Sequence, residues 1–159
     1  MSSRPSLSAA VLLAAVVGWG GIAAADVSKG VIAAFRGELV ITKGDLPEGK
    51  TEKNTIAKIK AERLKELTGE SKGSTTGWQF HYTAFLSKTG ATKLTLEFYT
   101  SDKKLVANPK LEGVDPKLSV LSGDISIDEE DGLTKGKAYT LKLVTDKNVV
   151  VASTPLVMK

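Results

Sequence analysis

The chain has 159 residues, a formal net charge of +4, no cysteine and a single histidine, His81. The missing cysteines exclude disulfides, thiol catalysis, Cys-ligated zinc and a lipid-modified Cys, and one histidine leaves no two-His metal site within the chain. The small positive excess is a matter of solubility, too weak to imply nucleic acid or a membrane surface as partner.

The N-terminus reads as an address. Arg4 supplies a short basic start, Leu7 to Val17 an apolar run, and Ala23-Ala24-Ala25 a small-residue site ahead of Asp26. This is the three-part layout of a secretory signal peptide. Gly18, Gly20 and Gly21 break the run short of the ~20 apolar residues a membrane span needs. Cleavage after Ala25 is expected. It leaves a secreted or periplasmic chain with no transmembrane anchor, and residues 26–159 form one domain.

Val31 to Thr42, apolar and β-branched around Arg36-Gly37, predicts one or two strands. Lys43 to Lys50 is a loop rich in turn residues. From Thr51 to Thr68 the period changes, and Ile56, Ile59, Leu64 and Leu67 fall on one helical face with Gly69 placed to cap it. This is the one amphipathic helix expected.

Beyond a polar linker, Glu70 to Gly77, the pattern is that of strands. Trp78, Phe80, Tyr82, Ala84 and Leu86 alternate with polar residues, with Phe85 as the exception, and so do Leu94, Leu96 and Phe98. Lys88-Thr89-Gly90 between them suggests a bulged hairpin with Gly90 at positive φ. Setting Ser87 opposite Ala91 pairs Phe80 with Phe98, Tyr82 with Leu96 and His81 with Glu97, and puts both apolar sets on one face. Further strands are expected at 105–107, 118–121, 125–127, 138–144, 149–153 and 156–158. Turn signals at Ser101-Asp102, Asn108-Pro109, Asp115-Pro116, Asp131-Gly132 and Asp146 to Asn148 separate them. Short strands so regularly spaced predict an antiparallel sandwich.

In the last third of the chain, Asp131-Gly132-Leu133 followed by Gly136-Lys137-Ala138-Tyr139-Thr140-Leu141-Lys142-Leu143 resembles the late strand of immunoglobulin-like and fibronectin-type-III-like domains. The resemblance implies an immunoglobulin-like sandwich in which Tyr139 sends its hydroxyl to the backbone of the preceding turn. The Cys pair of true immunoglobulin domains is missing, and the architecture carries no activity with it.

Two stretches stand out as candidate sites. Gly44 to Thr51 fits G-x-x-x-x-G-K-[ST], the phosphate loop. In such a loop Gly44 and Gly49 would let backbone amides cradle phosphate, Lys50 would reach the β and γ oxygens and Thr51 would hold magnesium. Against it, Asp45 and Glu48 bring negative charge, Pro47 removes an amide, and the hairpin pattern downstream lacks βαβ crossovers. The competing reading is a strand-to-helix turn with Thr51 near the N-cap.

The second stretch is the acidic run Asp128, Glu129, Glu130, Asp131 before Gly132. Clustered carboxylates in an inter-strand loop suit calcium, but EF-hand spacing is not met. The competing reading is a solvated turn. His81 with Glu97 reads as an exposed cross-strand pair, the basic helix face (Lys53, Lys58, Lys60, Arg63, Lys65) as a solvated one, and Trp78 as core.

These features favour an exported, non-enzymatic binding or structural module of the envelope or extracellular space, with a protein or envelope polymer as partner. No catalytic residue, resident metal or cofactor is expected. A calcium-binding sandwich and nucleotide binding at Gly44 to Thr51 are the alternatives.

Overall fold

The computed structural model describes residues 27–159. The expected leader and its cleavage site lie outside them. The described chain is mainly β, with two helices and two sheets. It runs α1 (Lys29–Phe35), β1 (Leu39–Thr42), α2 (Glu52–Glu62), β2 (Glu66–Leu67), β3 (Glu70–Lys72), β4 (Thr75–Phe85), β5 (Leu94–Thr100), β6 (Leu105–Ala107), β7 (Lys110–Leu111), β8 (Val120–Asp128), a short 3-10 turn (Glu129–Asp131), β9 (Lys137–Thr145) and β10 (Val150–Met158).

One sheet is built around β4, with β1 and β3 along one side and β8 along the other. The second has the order β2-β10-β9-β5, with β6 and β7 both against β5. Most pairs are antiparallel, while β2 lies parallel to β10. Trp78, Phe80, Tyr82, Ala84, Ile125 and Ile127 from the first sheet meet Leu94, Leu96, Phe98, Tyr139, Leu141 and Leu156 from the second in the main core. Each Leu or Phe fully buried there is worth about 1.5–3 kcal/mol, so the sheets are held face to face by burial rather than by any covalent tie.

Val31 to Phe35 lies in α1, where a strand was expected. The Ser28 hydroxyl caps it by accepting from the Val31 amide. Val31 and Phe35, one helical turn apart, pack beneath it. Val-Ile favours a strand in isolation, but here burial of the 31/35 stripe outweighs propensity. The α1 stripe joins Val40, Ile59, Phe85 and Val120 in a second core on the outer face of the β4 sheet. Phe85, which broke the alternation of its strand, belongs to this core; its ring centroid is 5.3 Å from that of Phe35. The described residues therefore form three layers, a helix pair and two sheets.

α2 ends at Glu62, earlier than its periodicity suggests. Ile56 and Ile59 face the second core, while Leu64 and Leu67 turn into the main core as the chain becomes extended. Gly69 is not a helix cap. Its amide donates to the Lys159 carbonyl, and a Cβ there would lie 2.7 Å from the Trp78 indole nitrogen, so glycine is required by close packing.

The hairpin after β4 does not form. β4 pairs with β8 and β5 with β9, in opposite sheets. Gly90 does take positive φ (+100°), but the connection crosses the sandwich, held by Ser87 N–H to the Val151 carbonyl and Gly90 N–H to the Pro116 carbonyl. The alternation in β4 and β5 is satisfied equally by two strands side by side and by two strands facing each other across a core. Likewise, the strands expected at 118–121 and 125–127 merge into one, β8, which starts at Val120, and those expected at 149–153 and 156–158 into another, β10, which starts at Val150. Pro155 sits inside β10 at no cost in pairing. The Ser153 and Val157 amides on that side bond to Gly37 and Lys65, so Pro155 faces the gap between those two partners.

Candidate functional site

The two stretches singled out in the sequence lie on opposite sides of β4. The phosphate-loop pattern follows β1 and the acidic run follows β8.

Gly44 to Thr51 is the entry to α2. The Thr51 hydroxyl accepts from the Asn54 amide at 3.2 Å, as an N-cap does, and Glu52 occupies the first turn. The Gly49 amide, which a phosphate would need, donates to the Thr55 hydroxyl at 2.9 Å. A Cβ on Gly49 would stand 2.7 Å from the backbone of Asn54 and Thr55, so this glycine lets the loop close on the helix. Lys50 is exposed, Gly44 borders open space, and among the described residues β1 pairs only with β4, antiparallel. Lys58 reaches back to the Glu48 carbonyl (2.9 Å), and Arg63 pairs with Glu38 at 2.6 Å. Part of the basic helix face is thereby used within the fold.

At the acidic run, carboxylates turn back onto the backbone. Asp128 accepts from the Glu130 amide at 2.9 Å, Asp131 from the Asp128 amide at 3.0 Å and Glu129 from the Thr76 amide at 2.7 Å. Gly132 closes the turn at φ +108°. Among the described residues Glu130 makes no such bond. Among the described residues no group of three or more His, Cys, Asp or Glu is gathered as a metal set. Each of these bonds occupies one carboxylate oxygen and fixes the carboxylates of Asp128, Glu129 and Asp131 against backbone.

What the structure adds is a cleft of about 250 Å³ beside this turn. Val106, Ala107, Asn108 and Pro109 form one wall, and Ser126, Ile127 and Asp131 form the other. It opens where the two sheets part, between the β6–β7 connection and the end of β8. Asn108-Pro109 was legible in the sequence only as a turn signal. Its position opposite Asp131 depends on how the sheets stack.

His81 pairs with Asp124, not Glu97. Nδ1 lies 3.0 Å from Asp124 Oδ1, and Thr42 flanks His81 on the other side. The correction follows from the missing hairpin, because Glu97 is in the second sheet. There Glu97 accepts from the Tyr99 hydroxyl at 2.5 Å, which raises the Tyr99 pKa, and Lys142 Nζ sits 4.7 Å from the Tyr99 ring centroid. Tyr82, buried on the inner face, is pushed up to about 12 by burial and by the Asp124 charge. Gly123 makes room for it, since a Cβ there would lie 3.0 Å from the Tyr82 hydroxyl. Trp78 is core, as expected, and its indole N–H donates to the Lys159 carbonyl at 3.0 Å.

No family model matches the chain, and no curated protein shows significant similarity to it.

Proposed function

We propose that the chain is an exported, non-enzymatic binding or structural accessory module of the cell envelope or extracellular space, built on an immunoglobulin-like sandwich. The leader layout of residues 1–25 supports export. The strand order supports the architecture. β4 and β8 pair in one sheet, β5, β9 and β10 in the other, and the first strand region contributes to both, antiparallel to β4 through β1 and parallel to β10 through the Glu38–Ser153 bridge. The Tyr139 hydroxyl accepts from the Thr134 amide in the turn before its strand, which is the bond the resemblance implies.

The observation that carries the binding reading is the cleft between Val106–Pro109 and Ser126–Asp131, a concave wall at an open side of the sandwich. Loops and strand ends on a rigid sandwich are where such folds place their recognition. A photo-crosslinking residue replacing Asn108, in cells that export the full chain, tests it. Adducts of a defined larger mass are expected from position 108 and not from Lys147, an exposed turn residue away from the cleft. Equal adducts from both positions, or none from either, would overturn the cleft as a binding site.

A further inference from the structure

We infer that the cleft between Val106–Pro109 and Ser126–Asp131 holds a lysine or arginine side chain of a partner protein, its alkyl stem along the apolar walls and its charged head at Asp131; this deepens the binding-module reading and rests on it.

Both walls are fixed by the fold. On one side the Pro109 carbonyl accepts from the Leu96 amide, which ties the β6–β7 connection to β5. On the other, Glu129 accepts from the Thr76 amide, which ties the 3-10 turn to β4. Gly132 lets the two sides approach, because a Cβ there would run into the Val106 carbonyl. Asp131 is set within this frame. One of its carboxylate oxygens accepts from the Asp128 amide, and among the described residues the other takes neither a hydrogen bond nor an ion pair. A site shaped before its ligand arrives loses less binding free energy to ordering.

Size and polarity select the occupant. About 250 Å³ is less than the roughly 300–1,000 Å³ of most small-molecule and cofactor sites, and it suits one long side chain. Val106, Ala107, Pro109 and Ile127 offer apolar surface, while Asn108 and Asp131 set polar groups beside it. A purely aliphatic side chain would cover the Asp131 carboxylate and give it no partner. An acidic one would meet Asp131 together with the carboxylates of Asp128, Glu129 and Glu130 that precede it. Lysine and arginine satisfy both conditions, since each lays an alkyl stem on apolar surface and keeps its charged head at a polar one. Lys110, which follows Pro109 in the chain, makes no ion pair with Asp131, so among the described residues the position is not filled from within the fold.

The test uses protein purified from cells expressing the full chain, with isotope-labelled methyl groups, and three end-blocked tripeptides: Gly-Lys-Gly, Gly-Arg-Gly and Gly-norleucine-Gly. The lysine or the arginine peptide is expected to shift the Val106 and Ile127 methyl resonances with a millimolar Kd, about threefold or more tighter than the norleucine peptide, and added salt is expected to shrink that preference. Asp131→Asn, whose side-chain carbonyl can still accept from the Asp128 amide, is expected to abolish the preference. Asp146→Asn, the same charge change in the exposed β9–β10 turn, is expected to preserve it. Norleucine binding as tightly as the basic peptides, a preference that survives Asp131→Asn, or no shift at Val106 and Ile127 with any of the three overturns the inference. The binding-module reading is judged separately, since it stands or falls on crosslinking from position 108.

Discussion

The Tyr139 hydroxyl accepts a 2.8 Å hydrogen bond from the Thr134 amide across the turn that leads into β9. The ring itself is buried in the main core. One side chain thus ties the sandwich interior to the turn, and the two contributions can be separated. Tyr139→Phe keeps the ring and leaves the Thr134 amide without its acceptor, so a loss of about 1–3 kcal/mol in urea unfolding is expected with an unchanged m-value. A loss near zero would mean that water replaces the hydroxyl.

The helix pair is fastened chiefly by Phe35 on Phe85 and by Glu52, which accepts from the Ser28 hydroxyl at 2.6 Å and the Gly30 amide at 3.2 Å. Phe35→Ala opens a cavity in the smaller core and should cost about 3–5 kcal/mol. Hydrogen exchange in that variant is expected to speed up most in α1 and α2 and least in β5 and β9. Uniform acceleration would show that the helices and the sandwich open as one unit.

Tyr82 gives the protein an alkaline limit. Its phenol titrates at about 12 in the fold and near 10 when unfolded, so the folded state holds its proton longer. Stability from this group is complete below about pH 10 and falls as pH rises from ~10 toward ~12, by on the order of 2–3 kcal/mol. Unfolding measured at intervals through that window should slope downward in the wild type. In Tyr82→Phe the slope should be much reduced.

Thermal melts with added ligands separate the remaining readings. With Asp128, Glu129 and Asp131 committed to backbone amides and Gly49 to Thr55, calcium, chelator and magnesium-ATP are each expected to leave the midpoint unchanged. A ligand bound only by the folded state at a hundred times its dissociation constant would add ~2.7 kcal/mol and raise the midpoint by several degrees. A rise with calcium would restore the metal reading of the acidic turn; a rise with magnesium-ATP that Lys50→Ala removes would restore the phosphate loop.

Much of the architecture was legible in local pattern. Period-two alternation marked β4 and β5, turn residues bounded the later strands, and Thr51 was placed at the start of α2 by its hydroxyl and the period that follows. Phe85 was visible as an exception without an explanation, because a residue that breaks alternation says only that the other face is also covered. Val31 to Phe35 was misread for a related reason. A short apolar run fits a strand or one helical face equally, and only the second core distinguishes them.

The acidic run and the glycine-lysine-threonine pattern were conspicuous in the sequence because side-chain type is local information. Their settings were not. Whether Asp128 faces a cation or its own backbone, and whether Gly49 opens to a ligand or closes on Thr55, depends on a few ångströms of backbone path.

Chemical constraint and strand content were determined by the sequence alone: no thiol chemistry, one histidine, and residues whose spacing suits a pleated sheet. Partnership was decided by the tertiary structure. His81 lies beside Asp124 rather than Glu97, and Asn108 stands across a cleft from Asp131, because alternation specifies which face of a strand is apolar but not which strand lies beside it. That choice belongs to long-range packing, in which the stretch between β4 and β5 crosses the sandwich and sends the two strands to opposite sheets.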